Sequence, residues 1–93
     1  MAEPRRRLHL ITRLADQLAW AACAAEAAAG MVVEVVLLHD AVLEPAPGPG
    51  PEGMVVLAGA ADARRRGVAE RWALVDYAEL VNRCVAADAV VCW

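Results

Sequence analysis

Apolar residues recur along this chain in two alternating rhythms: short unbroken runs, and stretches with helical spacing. The first run lies at 8–12 and predicts a short strand. Residues 15–29 are rich in alanine, the strongest helix former, and Gly30 stands where a helix terminator belongs. Residues 32–38 are a β-branched run broken only by Glu34, as expected of a strand covered on both faces. Between 41 and 53 stand Pro45, Pro47, Pro49 and Pro51 among glycines, a composition for neither helix nor sheet interior. A third strand is expected at 54–58, a brief helix at 60–66 ended by Gly67, and a fourth strand at 72–75.

The closing segment carries the clearest signals. Asp76-x-x-Glu79 forms a capping box that opens a helix. Tyr77, Leu80, Val81, Cys84 and Val85 then make one stripe at i, i+3, i+4 spacing, and a fifth strand follows at 89–92. Strands alternating with helices predict an α/β fold with a mostly parallel sheet and right-handed crossovers. The expected architecture is a small flavodoxin-like three-layer sandwich of about five strands, one domain over 1–93, with no internal repeats.

Composition sharpens this picture. The chain is 60% apolar but only 4% aromatic, so Val, Leu, Ile, Met and Trp must build the core around many alanines. At this size folding hides only roughly 60–65% of the unfolded surface, and excess apolar surface on a small domain tends to end in an interface. A net charge of -3 supplies no field for nucleic acid. The basic runs Arg5–Arg7 and Arg64–Arg66 lack interleaved aromatics and read as solvated arginines. Cys23, Cys84 and Cys92 are odd in number and without C-x-x-C spacing, which fits neither a zinc site nor a closed disulfide framework. A reducing, cytoplasmic setting is expected, with no metal or cofactor. The basic start followed by Leu8-His9-Leu10-Ile11 resembles an export signal, but Arg13 and Asp16 interrupt its apolar region. Glu26 and Glu34 break the longest apolar stretch before it reaches the roughly 18 residues a membrane span needs.

Few residues carry chemistry. His39-Asp40 closes a predicted strand, where α/β folds place ligands, yet no nucleophile or phosphate-binding glycine loop accompanies it. A polar strand end, with Asp40 accepting loop N–H groups, is the plainer reading. On a helical wheel Leu14, Leu18, Ala21, Ala22 and Ala25 share one face, expected against the sheet. Cys23 falls about 140° from Leu18, beside Asp16, Trp20 and Ala27, and is expected to face outward. Cys84 and Cys92 read as small hydrophobes. Trp20 and Trp93 read as partner contacts, with a core role for Trp93 equally open.

Several segments together resemble the DsrH/TusB family of the DsrE-like sulfur-relay proteins. They are Leu8-His9, the strand ending Leu37-Leu38-His39-Asp40, Val55-Val56-Leu57-Ala58 leading to Asp62 and Arg66-Gly67, and Val75-Asp76-Tyr77-Ala78-Glu79-Leu80-Val81 with Trp93 after the last strand. The chain departs from the family pattern at Asp40-Ala41, where Asp-Gly is usual, and in a Pro/Gly loop where the family has a second helix. The resemblance implies the small subunit of a cytoplasmic heterohexamer with DsrE/TusD-like and DsrF/TusC-like partners. Such assemblies pass persulfide sulfur between cysteines, toward tRNA 2-thiouridine or in sulfur oxidation. The loop after the third strand, which carries the acceptor cysteine in the larger subunit, here reads Gly59-Ala60-Ala61-Asp62. That implies an auxiliary subunit with no direct contact to nucleic acid or membrane. Cys23 is then the candidate sulfur acceptor, since some DsrH-type members carry a cysteine near this point of the first helix. Two other readings stay open: a stand-alone homo-oligomeric interaction module without thiol chemistry, and a small enzyme using His39 and Asp40.

Overall fold

The computed structural model describes residues 4–45 and 53–93. Five strands, β1 (Arg6–Ile11), β2 (Val32–Leu37), β3 (Met54–Gly59), β4 (Leu74–Val75) and β5 (Ala89–Cys92), form one sheet in the order β4-β3-β2-β1-β5. All four pairings are parallel. Three helices, α1 (Gln17–Ala28), α2 (Ala60–Arg65) and α3 (Tyr77–Ala86), flank it, and short 3₁₀ turns occupy His39–Leu43 and Ala69–Arg71. The expected α/β sandwich is what the chain forms.

The strand order decides which helix lies on which face. From β1 to β4 each strand adds on the same side of the last, so right-handed crossovers place α1 and α2 on one face. The return from β4 to β5 runs the other way and places α3 on the opposite face. Side-chain alternation then sorts the core. Ile11, Val33, Val35, Leu37 and Ala58 pack with α1, α2 and Trp72, whereas Leu8, Val36, Leu57 and Val75 pack under α3.

Helix α1 starts where Asp16 accepts a hydrogen bond from the Ala19 N–H at 3.1 Å. It ends in a Schellman arrangement: Met31 N–H donates to the Glu26 carbonyl, Gly30 N–H to the Ala27 carbonyl, and Gly30 takes the left-handed φ of +90°. Its buried face is Ala19, Cys23 and Ala27, while Leu18 is 77% exposed and Leu14 48%. The wheel expected from the leucines is therefore rotated by roughly half a turn. Alanine on every side gives this helix almost no directional preference. The bulky Val33, Val35 and Leu37 beneath it leave room only for small side chains.

Two further expectations are corrected. The proline-rich stretch begins inside structure, since Ala41 and Val42 are fully buried in the 3₁₀ turn. The indole Nε1–H of Trp72 donates to the Val42 carbonyl at 2.9 Å and anchors that turn. Pro47, Pro49 and Pro51 lie outside the described residues. On α3, Leu80 and Cys84 pack toward the sheet, but Tyr77, Val81 and Val85 of the same predicted stripe stay exposed.

Candidate functional site

In an open α/β sheet, ligands bind beyond the carboxyl ends of the strands, where neighbouring connections depart to opposite faces. Here that place lies between β3, whose chain turns into α2, and β4, whose chain turns into α3. A crevice of about 250 Å³ occupies it, walled by Leu38, Ala60, Val75 and Leu80, with Asp62, Arg64, Asp76 and Tyr77 at its polar margin. Gly59 belongs in this wall for a steric reason: a Cβ there would meet Leu38 Cδ2 at 2.8 Å.

The polar groups around the crevice are mostly committed. Asp76 caps α3 by accepting the Glu79 N–H at 2.8 Å. Asp62 pairs with Arg66 at 3.4 Å, and the same guanidinium reaches Asp40 at 3.2 Å. His39, in the left-handed region at φ +51°, stands 4.0 Å from Asp62 rather than being oriented by Asp40. The His39-Asp40 pair thus resolves into an ion-pair cluster centred on Arg66, and Asp40 accepts from a side chain instead of from loop N–H groups. Arg64 and Tyr77 are exposed crevice side chains with no hydrogen bond among the described residues. No thiol or hydroxymethyl nucleophile lines it.

The arginine runs are also more engaged than their spacing suggests. Arg7 pairs with Glu26 at 3.4 Å and Arg6 approaches Glu34 at 4.0 Å. Glu34, half-buried in the sheet, receives Arg83 of α3 at 2.5 Å, and Arg83 also binds Glu79 at 2.9 Å. These carboxylates hold the Arg83 guanidinium above its usual pKa, and the Arg83–Glu34 ion pair ties α3 to the sheet.

A second polar cluster, which sequence reasoning missed, is buried under α1. His9 is 1% exposed, and its Nε2 lies 2.7 Å from Glu26 Oε1. Trp93 Nε1–H donates to His9 Nδ1 at 2.9 Å, with the two rings stacked at 6.1 Å between centroids. An indole N–H only donates, so Nδ1 is the acceptor and the proton sits on Nε2, donated to Glu26. Both ring nitrogens are thereby satisfied. Position 9 shares a sheet face with the buried Ile11, but the alternation of Leu8 and Leu10 with Arg7 and His9 groups it with the polar residues, and its partners, 17 and 84 positions away, were beyond local pattern.

The sequence-predicted thiol is corrected in position. Cys23 faces the core with 0% exposure, and burial, with Glu26 nearby, pushes its pKa up to about 11. The accessibility on which a sulfur-acceptor role rested is absent. Cys92 is exposed on β5 and Cys84 is partly buried under α3. Trp20, expected outward, packs half-buried against the α1-side core, as does Trp93. Among the described residues there is no group of three or more potential metal ligands, and no helix long and apolar enough to cross a membrane. No protein-family model, curated protein or solved structure matches the chain.

Proposed function

We propose that this chain is an auxiliary subunit of a cytoplasmic persulfide sulfur-relay complex, built with two related DsrE-like chains. One observation carries the reading. The scattered residues of the DsrH/TusB resemblance are physically coupled: His9 bonds and stacks on Trp93, Asp40 and Asp62 share Arg66, and Asp76-Tyr77 borders the crevice.

The division of labour follows from thiol chemistry. Sulfur passes between cysteines only where a thiolate is reachable, and the switch-point crevice offers none. Cys23 is sealed in the core with a raised pKa, so the proposal assigns the chain a supporting role and gives Cys23 no part in carrying sulfur. In it, the crevice margin with Arg64 and Tyr77 receives a group from a neighbouring subunit.

Native mass spectrometry of the tagged chain purified from its own cells tests this. Two related partner chains in equal number are expected, with no sulfur added at Cys23. A homo-oligomer or monomer without such partners would count against the relay and favour the stand-alone interaction module.

A further inference from the structure

The surroundings of the buried His9 decide what a second ring proton would do. On one edge of the ring, Nε2 meets Glu26 of α1 at 2.7 Å, and the other Glu26 oxygen meets Arg7 at 3.4 Å. On the other edge, Nδ1 accepts the indole N–H of Trp93 at 2.9 Å. Beside His9 in the sheet stand Val35 of β2 and Val91 of β5, which do not titrate. Cys23, one turn before Glu26 on the buried side of α1, has its pKa pushed up to about 11 and carries no charge in acid. Glu34 belongs to the opposite face, where it holds Arg83. Glu26 and Arg7 are therefore the charged groups that face the ring.

The two edges respond differently to acid. The Nε2 edge already carries a proton and keeps Glu26 in either state. An incoming proton must go to Nδ1, and an imidazolium is a donor at both nitrogens. An indole N–H is a donor too, so the Trp93 bond cannot survive that protonation. At 1% exposure His9 meets no water until a neighbour moves, and Trp93 is the neighbour on Nδ1. Glu26 favours the imidazolium whether Trp93 is in or out. The state with Trp93 out thus binds the proton more tightly, and acid drives the chain toward it.

Trp93 is placed to move by itself. It follows β5, a four-residue edge strand whose sheet partner is β1. Apart from its indole it is held by two bonds, each 2.9 Å long: its N–H to the Leu10 carbonyl, and the Thr12 hydroxyl to its main-chain oxygen. The other end of β5 is anchored separately, where Asp88 accepts the Arg6 N–H at 2.7 Å. Opening at the strand end breaks few bonds and leaves the rest of the sheet paired.

We propose that Trp93 is an acid-released latch over the His9–Glu26 pair. It covers the pair while Nδ1 of His9 is free of a proton and swings out when that nitrogen takes one. Release uncovers an imidazole oriented by a carboxylate, together with the adjoining edge of α1. The latch belongs to this chain alone and does not rest on the relay reading.

The Trp93 indole resonance in ¹H–¹⁵N NMR spectra, assigned with Trp93→Phe, tests the latch between about pH 7.5 and about pH 5, where imidazoles gain a proton. A hydrogen-bonded resonance, protected from solvent exchange, is expected at the upper pH and a free-indole resonance at the lower. The Trp72 indole, bonded to the Val42 carbonyl, should stay where it is. His9→Asn sets an amide oxygen near the place of Nδ1 and should abolish the pH response. Glu26→Gln keeps an acceptor for Nε2 but removes the charge that favours the imidazolium, and should lower the midpoint by about one pH unit. A Trp93 resonance unchanged over this range, or one that moves with Trp72 in a single transition, would overturn the latch. So would a pH response that survives His9→Asn. A midpoint that Glu26→Gln leaves in place would overturn it as well, which keeps the test decisive should His9→Asn not fold.

Discussion

The two faces of the sheet reverse what their helices promise. Helix α1 has almost no apolar side, yet Ala19 and Cys23 are fully buried and the core beneath them is closed. Helix α3 has the clearest apolar stripe in the chain, yet Tyr77, Val81 and Val85 stand in water. Small residues are selected where a helix must approach a bulky sheet face closely. Large residues on a single helix over five strands exceed what that helix can bury. An amphipathic stripe thus marks a surface to be covered, and the covering element need not belong to the same chain.

Truncating one aromatic on each face probes this contrast most directly. Trp72→Ala removes a buried side chain and its bond to the Val42 carbonyl, and should cost about 3–5 kcal/mol in urea unfolding. Tyr77→Ala, measured at micromolar concentration, should stay within about 0.5 kcal/mol. Equal losses would erase the difference between the faces.

Cys23 sharpens the same contrast through pH. Its folded pKa of about 11 stands above the ordinary thiol value of 9.0, so the unfolded state gives up this proton first. The thiol's contribution to stability is complete below pH 9 and is lost as pH rises toward and through 11. The slope approaches, at most, about 1.4 kcal/mol per pH unit. Cys23→Ala should flatten that slope relative to the parent chain. A thiol reagent at pH 8 should label Cys92 in the folded protein and reach Cys23 only on unfolding. Immediate labelling of Cys23 would reinstate it as an accessible thiol.

A more modest loss than that at Trp72 concerns the buried histidine. Trp93→Phe keeps the packing but removes the donor to His9 Nδ1, and should cost about 1–2 kcal/mol. His9→Phe with Trp93→Phe should recover part of that loss, because no polar group is then left without a partner. A single mutant as stable as the parent would mean that the His9–Trp93 bond contributes nothing.

Much of the fold was legible because it rests on local physics. The β-branched run at 32–38, the Asp76 cap and Gly30 each report an element through one or a few neighbouring residues. The crevice was partly legible, since Gly59, Asp62 and Asp76-Tyr77 follow predicted strand ends. The pairing of Arg66 with Asp40, 26 positions away, was not. Nor was the fate of His39, whose orientation depends on the left-handed turn after β2.

The sequence by itself determined the order of strands and helices, the caps and the alternation within each strand, because these depend on residues a few positions apart. Tertiary structure alone decided which side of α1 turned inward, that Cys23 is sealed, and that His9, Glu26 and Trp93 meet. An alanine-rich helix has no strong side of its own, so the shape of the sheet beneath it chooses. The sheet order then left α3 alone on its face, and thereby left its apolar row exposed.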